Sequence, residues 1–427
     1  MSHPPASGIP LSRRDFLRWQ AALAATAALP ALPLLTGCSA VGATPRAAPA
    51  MGPGREAFRA VYDGLATEMR ALHARCKVTV DGHHLLRPCA NTGYNGLWHD
   101  DFTWPHIGLP ELQRGPEMAE GIAWLSKAML KHPVVCDRVE YDGRVVMSPG
   151  SPDHPMSEAM PLHLPAAWTR LLSHAHAAGV TIPQKQAWAQ LIALSFAQVP
   201  MSDGLVWCDP KRHIVSFGFQ DSIRLTEHVL ITSLVIKRGL ERAADLFAED
   251  LPAETIQLWR GQAAAIGASL GRLFVAKTGG FIGATGSGRA FDVWGNGLAY
   301  HLATDEQQKT IAATFQNNRQ GIFLKGCTRQ VIGPGGWPGT GGAIRYQNGG
   351  YWGTGTGFVL PMLAQTDPDF ALALAKELLA SLDGFKRSEW LDQQGGPGGV
   401  TDFLGTLSMP MIGLRAILEG RQVLDYL

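Results

Sequence analysis

Apolar residues recur at helical spacing along most of the 427-residue chain, and this periodicity limits the fold more than any other feature of the sequence. Pro116, Pro165 and Pro183 each open a segment whose apolar residues fall on one helical face. Proline suits the first turn of a helix because the amide hydrogen that it lacks would have no partner there. The pattern predicts a protein built mainly from helices.

Two further segments carry helix-capping signals. Residues 304–307 match the capping-box pattern, and Asp367 before Pro368 predicts an N-cap. A convincing β-hairpin pattern occurs at residues 139–146, with an Asp-Gly turn in its middle. We therefore expect helices joined by loops and small hairpin insertions.

A helical chain of this length suits a closed ring of helical hairpins. About 370 residues divided among six hairpins leave about 60 for each, which is enough for two helices and their loops. Stacked helical repeats are the alternative architecture, but no fixed period of about 30 to 45 residues recurs. We predict an all-α fold, an (α/α)6 toroid with small β-hairpin insertions, over residues 55–427.

The amino-terminal segment has the layout of an export signal. Arg13 and Arg14 precede an apolar, alanine-rich run, as in twin-arginine signals. That run is shorter than the roughly 20 apolar residues of a membrane span and contains two prolines. Residues 35–38 resemble a bacterial lipobox that ends at Cys38, although a signal peptide cleaved elsewhere is the alternative. We predict a signal peptide over residues 1–37 and a flexible tether over residues 38–54.

These signals predict a protein that is exported to the periplasm or the cell surface and held at the membrane by a lipid on Cys38. Lys plus Arg number 37 and Asp plus Glu 36, so the formal charge is +1, which argues against nucleic acid as a partner. Five cysteines remain besides Cys38, without a CxxC spacing, which argues against a zinc site. At most two disulfides can form, and Cys76 with Cys89 is one possible pair. The paired histidines lack a third ligand, so we expect neither a metal nor another cofactor.

Several loops combine acids with aromatic rings. Residues 99–105 bring a histidine, two acids and an indole together, although a solvated turn is the alternative. Asp221 follows a glycine-aromatic turn and precedes an apolar helix, where it could also serve only as the N-cap. Asp292 stands two residues before Trp294. Residues 333–357 contain eleven glycines, which let loop backbones approach a ligand closely.

Acids, amides and flat aromatic rings spread over loops are typical of carbohydrate sites, where indoles stack on sugars and carboxylates hold hydroxyls. A carbohydrate is therefore the expected partner. The residues selected as substrate-binding candidates are His99, Asp100, Asp101, Trp104, Asp203, Trp207, Trp294, Arg345, Gln347, Asn348, Tyr351 and Trp352.

The order of these motifs resembles the six-hairpin glycosidase superfamily, whose members include glucoamylases and debranching-type glucosidases. The resemblance runs over roughly residues 100–413 and is most specific at Asp-Val-Trp-Gly (292–295) and Gln-Asn-Gly-Gly-Tyr-Trp (347–352). It implies a catalytic domain in which Asp221 or Asp292 is the general acid and Glu389 the general base, with Asp101 lining the pocket. The sequence departs from the superfamily pattern at Asp392, where an asparagine is expected, and in lacking a clear catalytic glutamate in the middle hairpins.

The resemblance therefore implies a glycoside hydrolase of the inverting type, which uses two carboxyl groups, and the amino-terminal signals imply that it is lipid-anchored. Two alternatives remain open at this point. A polysaccharide lyase on the same toroid would use His99, Arg345 or Tyr351 to remove a proton. A non-catalytic lipoprotein would bind glycans in the same pocket without turnover.

Overall fold

Helices dominate the computed structural model, which describes residues 54–91, 93–151, 153–341 and 343–427. The predicted signal peptide, the tether up to residue 53 and the lipidation site Cys38 lie outside these residues. The described part of the chain contains thirteen α-helices: α1 Gly54–Cys76, α2 His99–Gly108, α3 Pro116–Met129, α4 Leu164–Ala177, α5 Lys185–Phe196, α6 Leu230–Leu246, α7 Ala253–Ser269, α8 Val293–Ala299, α9 Asp305–Asn317, α10 Arg319–Ile322, α11 Gly353–Thr366, α12 Pro368–Ser381 and α13 Gly405–Glu419.

Six of these helices form a closed inner ring. Contacts run from α2 to α4, α6, α8, α11 and α13 in turn, and α13 returns to α2. Most of the remaining helices pack outside the ring, with α1 against α13, α7 against α6 and α12 against α11. This arrangement confirms the predicted (α/α)6 toroid. All the described residues belong to one compact unit.

Burial separates the inner helices from the outer ones. Every residue of α2 is buried, and so is nearly every residue of α11 and α13. Outer helices bury one face, as α12 does with Leu374 and Leu378. Close approach within the ring needs small residues, because a Cβ added to Gly357 would lie 2.1 Å from the carbonyl oxygen of Met409.

Four of the five sequence signals for helix starts are confirmed, whereas Pro183 lies two residues before α5, which begins at Lys185. Thr304 and Gln307 form a reciprocal capping box at α9, and the Asp367 side chain accepts a hydrogen bond from the Phe370 amide at 3.1 Å. Pro116 is the first residue of α3, and Pro165 lies in the first turn of α4. The capping interpretation of Asp221 is wrong, because the helix that follows begins at Leu230.

Small antiparallel sheets of two or three strands join the helices. The strands are β1 Lys77–Val80, β2 His83–Leu86, β3 Gly96–Trp98, β4 Arg138–Glu140, β5 Val145–Val146, β6 Gly150–Ser151, β7 His154–Pro155, β8 Met201–Ser202, β9 Leu205–Cys208, β10 Glu227–His228, β11 Phe274–Val275, β12 Gly280–Phe281, β13 Phe323–Leu324, β14 Cys327–Thr328, β15 Trp390–Leu391 and β16 Pro397–Gly398. The predicted hairpin at 139–146 is confirmed as β4 and β5, which turn at Gly143 with φ 82°.

Backbone pairs tie together the loops that lead into successive inner helices. Tyr351 pairs with Leu391, Trp352 with Thr328, and Asp292 with Val331. Such pairs fix the loop backbones relative to one another, because a ladder hydrogen bond constrains both partners. The loops at this end of the ring therefore form a connected frame for side chains.

The five cysteines in the described residues are buried free thiols, so Cys76 and Cys89 are not joined. The Cys89 thiol instead donates a hydrogen bond to the Asn91 side-chain oxygen at 3.0 Å. Within the described residues, the helices are too short or too polar to cross a membrane.

Candidate active site

A cavity of about 460 Å³ lies where the chain enters several inner helices. Its aromatic lining residues are Tyr94, Trp98, Phe219, Tyr346 and Phe403. Six of its lining residues are acids: Asp100, Asp101, Asp137, Glu140, Asp221 and Glu389. Three of these acids, Asp101, Asp221 and Glu389, come from loops or helix starts far apart in the sequence, and the closed ring brings them together.

Glu389 lies just before β15 and accepts hydrogen bonds from three donors. Its Oε1 accepts from the hydroxyls of Tyr94 at 3.3 Å and Tyr346 at 3.2 Å, and its Oε2 accepts from the Val400 amide at 3.3 Å. Burial raises the pKa of Glu389, while the three donors act in the opposite direction by stabilising the carboxylate. The three donors offset part of the effect of burial and so stabilise the carboxylate form of Glu389 more than burial alone would allow.

The backbone around Glu389 is built to come close to its carboxylate. Gly399 has φ 70°, and a Cβ added to it would lie 2.3 Å from Oε2 of Glu389. Tyr346 adopts φ 51°, a conformation that residues other than glycine seldom adopt. Backbone strain of this kind is often found at functional sites, where the surrounding structure holds it in place.

Asp221 follows a short 3₁₀ turn, Gly218–Gln220, and has a different surrounding. Its Oδ1 is buried without a hydrogen-bond partner. Burial raises the pKa of Asp221 to about 7, with a smaller upward contribution from the charges of Asp137 and Glu389. A hydrogen bond from Gln347 acts against this rise. A carboxyl with such a pKa is in part protonated near neutral pH and can donate a proton.

Glutamine side chains hold the Asp221 loop in place. Gln347 Oε1 accepts hydrogen bonds from both the amide and the hydroxyl of Ser222 at 2.8 Å. Gln330 donates from its side chain to the Phe219 carbonyl at 2.6 Å. Gln347, which was selected from the sequence, thus lines the cavity and also positions the loop.

Asp101 is a third acid of the cavity that forms no ion pair in the described residues. It lies in the first turn of α2, is only 9% exposed and has an unpartnered Oδ1. Burial raises its pKa to about 8, and the charges of Glu389 and Asp137 add to the rise. An oxygen buried without a partner at a cavity wall suits a ligand hydroxyl.

Asp100 and His99 also line the cavity and belong to a buried polar cluster in its wall. Asp100 pairs with the guanidinium of Arg170, and the His99 Nδ1 lies 2.9 Å from the Asp100 Oδ1. Burial lowers the pKa of His99 to about 3. The alternative of a solvated turn for residues 99–105 is wrong, because this segment begins a fully buried helix.

One group of side chains in the described residues could in principle hold a metal ion. One donor atom each of His99, Asp100 and His163 lie within 4.8 Å of one another. The Arg170 guanidinium already supplies the positive charge next to Asp100. A cation bound there would have to displace or repel Arg170, so the donor set fits a metal poorly.

Three of the four tryptophans selected from the sequence lie in the core behind the cavity. Trp104, Trp294 and Trp352 have no exposed surface. Their rings surround Phe219, with the Trp104 ring stacked on it at 5.0 Å and the Trp352 ring edge-on at 5.8 Å. They therefore support a ring that lines the cavity and do not themselves face a ligand.

Asp292 also lies outside the cavity lining. It is the N-cap of α8, and its Oδ1 accepts from the Gly295 amide at 2.8 Å. Burial raises its pKa to about 7, while the amides of Gly295 and Trp294 act in the opposite direction. The motif around Asp292 thus shapes the start of a helix.

Five other selected residues do not line the cavity. Asp203 is 3.3 Å from Arg272 in an ion pair, and the Trp207 ring packs against His228. Their positions follow from the β8–β9 hairpin, which lies away from the cavity lining. Arg345 is exposed.

The remaining two hold loops together. The Asn348 side-chain oxygen accepts from the Trp337 amide at 2.6 Å. The Tyr351 backbone pairs with Leu391, and the Arg329 guanidinium lies over its ring. These contacts account for both residues as parts of the loop frame.

Sequence analysis missed several cavity residues: Tyr94, Trp98, Asp137, Arg138, Glu140 and Tyr346. Strand pairing brings Trp98 opposite Arg138 across β3 and β4, and the guanidinium lies 4.9 Å from the indole centroid. A signal was present for Glu140, which belongs to the hairpin predicted at residues 139–146, whereas Arg138 directly precedes that hairpin. The pairing of β4 with β3 could not be predicted from the sequence.

Comparisons with known proteins identify an export signal near the amino terminus and solved structures with a similar fold. A family model for the twin-arginine translocation (TAT) pathway signal sequence matches residues 10–30. The chain therefore carries a TAT export signal, as predicted. A comparison with curated proteins finds no match.

The fold is similar to that of solved glycosidases. One is the GH63 mannosylglycerate hydrolase from Thermus thermophilus, with 14% identity, 81% of this chain and 99% of that chain covered, and a TM-score of 0.52. A rhamnosidase from Klebsiella oxytoca has 12% identity and a TM-score of 0.54, and the match covers 87% of this chain and 65% of the rhamnosidase chain. A GH78 rhamnosidase of a Bacillus species has 11% identity, with 84% of this chain and 35% of that chain covered and a TM-score of 0.54. These neighbours share the toroid predicted from the six-hairpin resemblance.

Proposed function

We propose that the domain over residues 55–427 hydrolyses O-glycosidic bonds by an inverting mechanism, with Asp221 as the general acid and Glu389 as the general base. The observation that carries this proposal is the different hydrogen bonding of two carboxyls in one cavity. Glu389 accepts from three donors through both of its oxygens, whereas Asp221 has hydrogen bonds from Gln347 and the Ser222 amide and leaves its Oδ1 without a partner. The glycosidase neighbours share the fold and so support the reaction class.

In the proposed step, the proton of Asp221 moves to the glycosidic oxygen while the bond from that oxygen to the anomeric carbon breaks. The oxygen of a water molecule bonds to the anomeric carbon from the opposite face, and Glu389 takes a proton from this water. Asp221 ends ionised, Glu389 ends protonated, and exchange of both protons with solvent restores the starting state. The sugar product has the inverted anomeric configuration.

Substrate contacts in this proposal come from the cavity walls. Asp101 and Gln347 offer hydrogen-bonding groups for sugar hydroxyls, and Trp98, Tyr94 and Phe403 offer apolar surface. Asp292 is left out of the chemistry because it caps α8. Rhamnose, which is named for one neighbour, is a neutral starting point for a substrate screen, and mannosylglycerate, which is named for another, is an anionic one.

The test is a screen of the purified protein against a panel of glycosides and oligosaccharides, with released reducing sugar as the readout. We expect hydrolysis of at least one compound, and proton NMR of the first-formed sugar should show the inverted anomer. An unsaturated, ultraviolet-absorbing product would instead indicate a lyase. Binding without turnover would indicate a glycan-binding protein, and retention of configuration would contradict the inverting mechanism.

We also propose that the exported protein is held at a membrane by a lipid on Cys38. The TAT signal supports export, and the lipobox-like residues 35–38 follow the signal directly. The Cys38→Ser variant should be exported but recovered in the soluble fraction. If it partitions into detergent with the membrane fraction as the unaltered protein does, the lipid-anchor proposal fails.

A further inference from the structure

Arg138 is the only arginine or lysine among the described residues that line the cavity. It lies on β4 with 5% of its surface exposed, and its guanidinium stacks on the Trp98 ring. A buried arginine in a sugar-binding cavity would ordinarily suggest recognition of a carboxylate or phosphate, which match its planar fork of donors. Whether Arg138 can do this depends on which of its donors are free.

All five N–H donors of Arg138 have partners within the protein. Nε and Nη2 donate to the Glu140 Oε1 at 3.3 and 3.1 Å, and Nη1 donates to the Asp137 Oδ2 at 3.2 Å. The two remaining donors go to backbone carbonyls, from Nη1 to Ser148 at 3.4 Å and from Nη2 to Gly150 at 2.9 Å. A bound anion would therefore have to displace an existing partner.

The charge of Arg138 is also balanced within the protein. Asp137 and Glu140 place two carboxylates against one guanidinium, although Arg144 also pairs with Glu140 from the outside. Asp101, Asp221 and Glu389 line the same cavity and form no ion pair in the described part of the chain. An anionic group entering this space would meet the Glu389 carboxylate, would favour ionisation of neither Asp101 nor Asp221, and would find no free donor of Arg138.

We propose that the sugar bound in this cavity carries no carboxylate, sulfate or phosphate, and that Asp137 and Glu140 set this specificity by occupying Arg138. The inference rests on the proposed hydrolase function and narrows its substrate class. Asp137 and Glu140 are the specificity residues in this account. Arg138 has a structural role, because it stacks on Trp98 and donates hydrogen bonds to the carbonyls of Ser148 and Gly150. The occupied donors and the charge of the cavity wall disfavour anionic sugars, and no steric clash is needed.

The experiment compares matched substrates on the full-length protein and on variants that change charge with little change of shape. Each 4-nitrophenyl glycoside of the panel is paired with its uronide and its 6-phosphate. For the unaltered protein, kcat/KM for the neutral member should exceed that for either anionic member by about a hundredfold or more, the scale of a like charge placed at a buried site. A uronide or phosphate that is hydrolysed as well as its neutral partner overturns the proposal.

Charge-removing variants make the test sharper. In Glu140→Gln the ratio of neutral to anionic kcat/KM should fall by about tenfold, and in the Asp137→Asn, Glu140→Gln double variant it should fall further, because Arg138 regains net positive charge. Glu254→Gln, on the exposed start of α7, is the matched control and should leave the ratio unchanged. Folded variants whose ratio equals that of the unaltered protein overturn the specificity role.

Binding separates this inference from the hydrolase proposal. Isothermal titration with the methyl glycoside and the methyl uronide of the same sugar reads the charge preference without turnover. Tighter binding of the neutral ligand in a protein that hydrolyses nothing supports the inference and contradicts the proposed function. Tighter binding of the uronide contradicts the inference even where neutral glycosides are hydrolysed.

Discussion

Asp221 and Glu389 line one cavity, but the loops that carry them give the two carboxyls different surroundings. The loop around Glu389 directs two phenol hydroxyls and a backbone amide at the carboxylate. The loop around Asp221 is held by glutamines that bond mainly to its neighbours, and the Asp221 Oδ1 has no partner. Burial raises the pKa of both groups; three hydrogen-bond donors oppose the rise at Glu389, whereas at Asp221 the charges of Asp137 and Glu389 add to it. The comparison teaches that the loops give two carboxyls of one cavity different surroundings, and the proposed division into acid and base rests on this difference.

Removing the base should have the largest effect. Glu389→Gln keeps the size of the side chain but cannot accept a proton, so kcat should fall by at least about a hundredfold. Because the water must still be deprotonated, the loss should be similar for good and poor leaving groups. The readout is steady-state kinetics on the best substrate of the panel, with Glu254→Gln as the control. A loss of less than about tenfold would remove Glu389 from the mechanism.

Removing one phenol should have a smaller effect that sharpens the comparison. Tyr346→Phe deletes one donor to the Glu389 carboxylate, so the pKa of Glu389 should rise further and the acidic limb of the pH profile should move to higher pH. At low pH, kcat/KM should fall by about tenfold, with partial recovery as the pH rises. Tyr94→Phe should act in the same direction. If both variants keep the profile of the unaltered protein, the phenols do not set the state of Glu389.

Asp292 offers the smallest effect on activity and a distinct effect on stability. Asp292→Asn keeps a good N-cap and lies outside the cavity lining, so kcat/KM should change less than about threefold. The folded pKa of Asp292, about 7, lies above the ordinary value, so its contribution to stability is fully present at low pH and is lost as the pH rises toward 7.

The variant should therefore gain stability relative to the unaltered protein by up to about 1.4 kcal/mol per pH unit between about pH 5 and 7. Denaturant unfolding at several pH values measures this gain. A difference in the free energy of unfolding that does not change with pH would mean that Asp292 is not held protonated. A large loss of activity would return Asp292 to the catalytic candidates.

The fold could be predicted largely because its signals are local. Pro116 and the capping residues 304–307 act within one helical turn, so they can be read from neighbouring positions in the sequence. The closure of the ring was predicted from chain length and from the six-hairpin resemblance. The pairing of α13 with α2 joins the two ends of the domain and has no local signal.

The site could be predicted only in part, for a related reason. Asp101, Asp221 and Glu389 belong to motifs of the resemblance, and all three line the cavity. Arg138 reaches Trp98 through strands 40 residues apart, a pairing that the hairpin pattern alone does not specify. The tryptophans were selected because indole rings stack on sugars. An indole in a loop can equally pack into the hydrophobic core, as that of Trp352 does.

The most direct test of the two roles is the leaving-group dependence of Asp221→Asn. An acid that protonates the glycosidic oxygen is needed for a poor leaving group such as an alcohol, but not for fluoride or dinitrophenolate. We expect kcat/KM of Asp221→Asn to fall by at least about a hundredfold on an alkyl glycoside and by far less on the glycosyl fluoride. The decrease in activity that the unaltered protein shows above about pH 7 should be absent from the variant. Equal losses on both substrates, or an unchanged alkaline limb, would contradict the assignment of Asp221 as the acid and Glu389 as the base.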